Sequence, residues 1–541
     1  MKAPSATVEN RRPKKPKPRN YARAKDHKYG EGVLIGIIDA QGFDFAHPDF
    51  LDADGQTRFF SIWDQGGNGR PAPGDFTYGS ELTQKLMNAA LRDGVRIGAP
   101  ATLIEKQSSM VPGSHGTHVA SIAAGNNAGI CRNAAIVGVL VSIPKEERDR
   151  RKSFYDSTRI AHAIDYILSI AADPKNKFKA VSINISLGTN GHAHDASSAI
   201  SRWIDHALAT PGCCVTVAAG NAGQEAARYA GDVGWIMGRI HTSGVIAAKG
   251  LFQDIEWVVA GDGKVDVSEN ELEIWYGPQD RFDVELFTPK GKKIGPIKPG
   301  QFIENLRLPD GSMVSIYNEL YHPANGSNYI SFYLTPFLGK KGIVGVPAGP
   351  WKVRLMGDDI RDGRYHGWIE RDDPRRAGRA GDREAWAWPS FFSDRSNVDE
   401  SSVSSLACGR FLISVANLDE IADAVHYTSS QGPTRDGRFK PDIAAPGTNI
   451  VAACGFSPDH EWITMTGTSM AAPYVCGVAG LMLAIAPALT SSQIEGIMQR
   501  NARPLPGATY VWKNDAGFGR IDADACIGEA AIAHDRKDLK R

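Results

Sequence analysis

Four polar residues of this 541-residue chain stand where chemistry is possible: Asp39 after "VLIGII", His115 opening "HGTHVASIAAG", Asn221 closing "VTVAAGN", and Ser469 within "TGTSMAAPYVCG". A serine hydroxyl is a weak nucleophile until a neutral imidazole takes its proton, and a buried carboxylate fixes the tautomer of that imidazole. An asparagine amide and a helix N-terminus can then hold the oxyanion. Each residue also has an ordinary reading. An aspartate ending a strand forms turns, an asparagine steadies a glycine-rich turn, and Ser469, shortly before Pro473, fits a helix N-cap. His115 and His118 are three apart and could share a metal, but no third ligand follows at a recognisable spacing. His118 is therefore read as structural. "DADG" at 52–55 begins like a calcium loop, yet its twelfth position is Trp63, so no metal is assigned.

These residues need a sheet to carry them. "VLIGII" (33–38), "AAIVGVLV" (134–141), "AVSINIS" (180–186) and "CCVTVAAGN" (213–221) read as buried strands. Helical patterns lie between them at 115–125, 160–171 and 195–209. That alternation predicts an α/β fold, a parallel sheet flanked by helices, with the polar residues at its carboxyl edge. After residue 225 the period changes. In "RFDVELFT" and "YISFYLT" every second residue is apolar, so Phe282, Val284 and Leu286 share one face, as do Ile330, Phe332 and Leu334. An all-β sandwich or jelly roll is expected over 229–395, interrupting an α/β unit at 30–228 and 396–530. A basic, disordered tail is expected at 1–29 and a polar tail at 531–541.

The motifs resemble those of the subtilisin-like serine proteases. "GIIDAQGFDFAHPDF", "GSHGTHVASIAAG", "VTVAAGN" and "TGTSMAAP" match the regions of the family's aspartate, histidine, oxyanion asparagine and serine, in the same chain order. The likeness covers roughly residues 30–225 and 396–530. It implies a serine endopeptidase with Asp39, His115 and Ser469 as the triad and Asn221 at the oxyanion. It also implies substrate binding by Ser186, Leu187 and Gly188 on one side and Ala218, Ala219 and Gly220 on the other. The insertion begins where the pocket floor would be completed, so the preferred side chain is not legible. The chain departs from the family at Asp39-Ala40-Gln41-Gly42, where a hydroxyl residue usually follows the aspartate. That departure motivates an alternative, a weak or inactive subtilase that binds peptides or a partner. The inserted β region is similar to that of the clostridial spore-germination subtilases, which suggests a brace or a surface for a regulatory protein.

Composition narrows the remaining classes. Lys plus Arg and Asp plus Glu both total 61, which gives no global attraction to nucleic acid or membrane. Protein or peptide is the expected partner, nucleic acid and membrane are not, and no cofactor is expected. Only "RRPKKPKPR" (11–19) is strongly basic, and its prolines favour an extended, solvated chain. No 7–15-residue apolar run follows these cations, so a cytoplasmic location is expected. Seven cysteines without a C-x-x-C pair suit buried thiols better than a disulfide framework. The apolar run at 471–487 reads as a core helix.

Overall fold

The computed structural model describes residues 13–141, 157–225, 235–339, 342–370, 376–377, 385–386 and 389–538. In chain order its first strands are β1 (Val33–Asp39), β2 (Phe59–Asp64), β3 (Ser80–Thr83), β4 (Ala135–Leu140), β5 (Ala180–Ile185) and β6 (Cys213–Ala218). They join Ile413–Asp419, Ala424–Val425 and Ile443–Pro446 in a nine-stranded sheet with β1 between β5 and β4. The β1 pairings to both neighbours are parallel. All seven β1 residues are buried, because helices cover both faces.

Alternation along β1 divides the core in two. Val33, Ile35 and Ile37 pack in one layer with Val119, Val475 and Leu481, from helices His115–Ala124 and Thr468–Ile485. Leu34 and Ile38 pack in the other with Ile164, Ile167 and Ile204, from helices Ser157–Ala172 and Ala199–Ala207. Helix Thr468–Ile485 is long and apolar enough to cross a membrane by composition, but 78% of it is buried inside this core. All seven cysteines are free and buried.

The β insertion forms two antiparallel sheets. The six-stranded one contains Asn270–Tyr276, Asn328–Thr335 and Arg364–Ile369, and the five-stranded one contains Phe252–Val259, Arg281–Phe287 and Gly349–Asp359. Their facing residues share a core of Leu272, Ile274 and Phe332 against Trp257, Phe282 and Trp351. Phe282, Val284 and Leu286 are wholly buried, as the alternation predicts, and so are Ile330, Phe332 and Leu334. The expected boundary at 228–229 lies outside the described residues.

Both expected tails are partly structured. Arg19 pairs with Glu420 at 3.0 Å, Tyr21 is buried, and the Ala22 N–H donates to Asp524 Oδ1 at 2.7 Å. Tyr21 provides apolar surface that the proline-lysine run before it lacks. At the other end, helix Ala523–Asp538 runs through the stretch expected to be a polar tail, and Ala530 and Ala531 are buried.

Candidate active site

β1 ends at Asp39, whose carboxylate is 2% exposed and accepts a hydrogen bond from His115 Nδ1 at 2.7 Å. The imidazole is 27% exposed, so one edge reaches solvent. Burial disfavours its charge, but the charge and hydrogen bond of Asp39 outweigh burial and raise its pKa above the ordinary value. Asp39 thus favours the imidazolium that proton transfer would create.

The helix carrying His115 begins without the side-chain cap that a serine at its N-terminus ordinarily supplies. Ser114 occupies the N-cap position but makes no side-chain cap, because its hydroxyl donates to the Gly42 carbonyl instead. Gln41 supplies the missing acceptor. Its Oε1 accepts from the His115 N–H at 2.8 Å, and its own N–H donates to Asp39 Oδ1 at 3.0 Å. Gln41, which follows the Ala40 that stands in place of the family's hydroxyl residue, therefore ties the aspartate to the histidine helix. His118 lies fully buried one turn on, with Nε2 shared between the Ile450 and Ile463 carbonyls, each at 3.2 Å. Burial and the neighbouring His115 push its pKa down to about 3.

Ser469 is not an N-cap. Gly467 holds that position and Thr468 opens the helix, leaving Ser469 inside the first turn. Thr468 is wholly buried, and its N–H and Oγ1 donate to Asn221 Oδ1 at 3.0 and 3.1 Å. With its oxygen engaged, Asn221 has Nδ2 as its donor end. The turn before it requires glycine. Gly220 has φ +113°, and a Cβ there would stand 2.6 Å from Ser430 Oγ, which accepts from the Ala222 N–H at 2.9 Å.

Ser469 and Asn221 line one cavity of about 120 Å³. Ser186, Leu187 and Gly188 contribute one side, and Ala218 and Gly220 another. Ser186 Oγ also donates to the Ser469 carbonyl at 3.1 Å, joining the segment after β5 to the serine helix. Ala219 does not reach the cavity. It is fully buried, its N–H donating to the Val415 carbonyl at 3.0 Å and its carbonyl accepting from the Ser404 N–H at 2.8 Å. Asp39 and His115 also lie outside this lining, and the histidine helix packs against the serine helix. Among the described residues no three His, Cys, Asp or Glu side chains gather as a metal site.

Sequence reasoning missed Gln41 as a tether, Thr468 and Ser430 as supports of the asparagine turn, and Met237 and Ser404 in the cavity lining. Thr468 stands inside the quoted "TGTSMAAP", whereas Ser430 lies in none of the quoted motifs. Met237 and Ser404 have no local signal.

The chain is similar to known proteins to different extents. Over 155 residues the chain is 31% identical to the serine protease AprX of Bacillus subtilis (strain 168), covering 24% of this chain and 33% of AprX. Over 565 residues it is 23% identical to the subtilisin-like protease SBT2.2 of Arabidopsis thaliana, covering 93% of this chain and 62% of SBT2.2. The chain thus spans less than two thirds of either curated relative. The structure of the Clostridium perfringens CspB protease superposes with a TM-score of 0.73 at 22% identity, over 94% of this chain and 95% of that one, a likeness of fold. The family model described as the subtilase family matches residues 30–254 and 380–520, the two stretches that build the nine-stranded sheet and hold Asp39, His115, Asn221 and Ser469, and the chain belongs to that family.

Proposed function

We propose that the protein is a serine endopeptidase that cleaves extended segments of protein substrates. The observation that carries this reading is the Asp39–His115 hydrogen bond, made in a protein whose Ser469 stands in the first turn of a helix beside a cavity. Ser469 Oγ attacks the scissile carbonyl as His115 Nε2 takes its proton, and the carbonyl electron pair moves onto oxygen. Asn221 Nδ2 and the Ser469 N–H donate to that oxyanion. Collapse breaks the C–N bond, and His115 returns the proton to the departing amine. Water then repeats the sequence on the acyl-enzyme, which frees Ser469.

Substrate backbone pairs beside Ser186, Leu187 and Gly188, and the side chain before the scissile bond enters the cavity. The hydrogen bonds of Gln41 to Asp39 and to the histidine helix support the active reading over a weak or inactive one. A fluorophosphonate probe tests the assignment. Labelling of the wild type and not of Ser469→Ala supports it, whereas equal labelling of both proteins rejects it.

A further inference from the structure

The six-stranded sheet of the sandwich carries aromatic and polar side chains on the face turned away from its core. Ile316, Ile330 and Phe332 enter that core, so the residues between them point outward. On the outer face Tyr317 lies opposite Ser331, and Ser315 lies opposite Tyr333. Each pairing sets a ring beside a small hydroxyl residue, which leaves a hollow with a serine floor and tyrosine walls. Ser315 and Ser331 are buried, and the Ser315 hydroxyl accepts from the Asn305 N–H at 2.9 Å. Tyr317 and Tyr333 meet edge to face with ring centroids 6.1 Å apart, and the exposed Phe302 stacks on Tyr317 at 5.9 Å. The hollow measures about 280 Å³, slightly less than pockets for drug-sized ligands, and suits a single long side chain.

Its charge is of one sign. Glu304 and Glu319 stand at the exposed rim, and on the neighbouring strand Glu271 and Glu273 lie opposite Tyr333 and Ser331. Glu304 accepts from the Tyr317 hydroxyl at 2.9 Å, and Glu273 accepts from the Tyr329 hydroxyl at 3.1 Å, but these neutral donors leave the negative charge uncancelled. No Lys, Arg or His lines the hollow. Burial, followed by the charges of Glu273 and Glu370, pushes Glu271 up to about 8, a sign of crowded like charge. A cation there would meet both carboxylates and ring faces. Further along the same face Trp275 and Trp368 pack with Ala193, and Glu273 accepts from the His192 N–H at 2.6 Å. The hollow therefore borders the segment that follows the substrate wall, a position that favours a polypeptide as the bearer of the cation. We propose that this tyrosine-walled hollow is a binding site for an arginine or lysine side chain of an extended polypeptide, separate from the cavity at Ser469.

The test reads binding and needs no turnover. Ser469→Ala protein, which leaves the probe intact, is titrated at low ionic strength into a fluorescein-labelled peptide of alternating Gly and Arg, and into a counterpart with Gln in place of Arg. The Arg peptide should bind at least about tenfold more tightly. Glu304→Gln together with Glu319→Gln should weaken it about five- to tenfold, since two rim carboxylates lose their charge. Asp358→Asn together with Asp359→Asn removes the same charge from exposed positions on the five-stranded sheet and should change the affinity by less than about twofold. Tyr317→Leu removes an aromatic face and should cost about two- to fivefold. Equal affinity for the two peptides overturns the proposal, as does an unmoved affinity in the Glu304 and Glu319 double variant. Equal weakening by the two double variants also overturns it, because the attraction is then spread over the whole surface.

Discussion

The central sheet and the inserted sandwich are buried in different ways. β1 has no exposed face, whereas strand Gly349–Asp359 alternates buried and half-buried residues along most of its length. A parallel sheet covered by helices has only its strand ends free for polar groups, and Asp39 ends β1 while Asn221 follows β6. The sandwich instead meets the catalytic region along residues 189–197 through polar side chains on one strand, just past the end of another and in a turn. Glu370 accepts from Thr189 Oγ1 at 2.6 Å, Glu273 accepts from the His192 N–H at 2.6 Å, and Asn325 donates to Asp195 at 2.8 Å. Strand ends and helix starts hold the residues of the proposed chemistry, and the sandwich holds the segment that follows the substrate wall.

If this division is right, substitutions at the strand ends and serine helix should remove turnover while leaving the fold intact. Ser469→Ala should lower kcat by roughly 10⁶-fold, the scale seen when subtilisin loses its nucleophile. Its melting temperature should stay within about 2 °C of wild type, since the substitution removes only a hydroxyl. A comparable loss of folded protein would erase the distinction. Asn221→Ala should cost about 10²–10³-fold in kcat with KM little changed, because its donor acts on the oxyanion. A change confined to KM would place Asn221 in ground-state binding.

Gln41→Ala sharpens the comparison inside the catalytic region. It removes the acceptor of the His115 N–H but keeps the backbone donor to Asp39, so an about tenfold fall in kcat is expected from looser placement of the imidazole. Gln41→Glu, which retains the acceptor, should recover most of that loss. On the sandwich side, Glu370→Ala cuts the tie to Thr189. A few-fold change in kcat/KM is expected, with a change in the preference for the residue before the scissile bond, because Thr189 also holds Ser404. A lower melting temperature with an unchanged preference would reduce the sandwich to a brace.

The smallest effects concern pH, and the two regions respond from opposite sides. Burial pushes His194 down to about 4, while an unfolded histidine titrates near 6.5. Its neutral form therefore contributes stability that is lost as pH falls from about 6.5 to about 4. In the sandwich, burial followed by the charges of Glu273 and Glu370 pushes Glu271 up to about 8, against an ordinary value near 4.5. The folded state keeps that proton longer than the unfolded state does, so stability is lost as pH rises from about 4.5 to about 8. Melting temperatures across that upper interval should fall less steeply for Glu271→Gln than for wild type. Parallel slopes would show that Glu271 does not hold its proton.

The sequence by itself determined the α/β sheet with its β insertion and singled out the four residues of the proposed chemistry. Those features depend on local information. Burial on both faces selects continuous apolar runs such as "VLIGII", one-sided burial selects alternation such as "RFDVELFT", and close backbone approach selects the small residues around Ser469. Only the tertiary structure decided that Ser114 bonds to Gly42 rather than capping its helix, that Gln41 joins Asp39 to His115, and that the Ala219 backbone is tied to Val415 and Ser404. It also brought Met237 and Ser404 together across the insertion. A side-chain hydroxyl or amide bonds to whichever donor or acceptor the fold carries within about 3 Å, and no periodicity in the chain encodes a neighbour dozens of residues away.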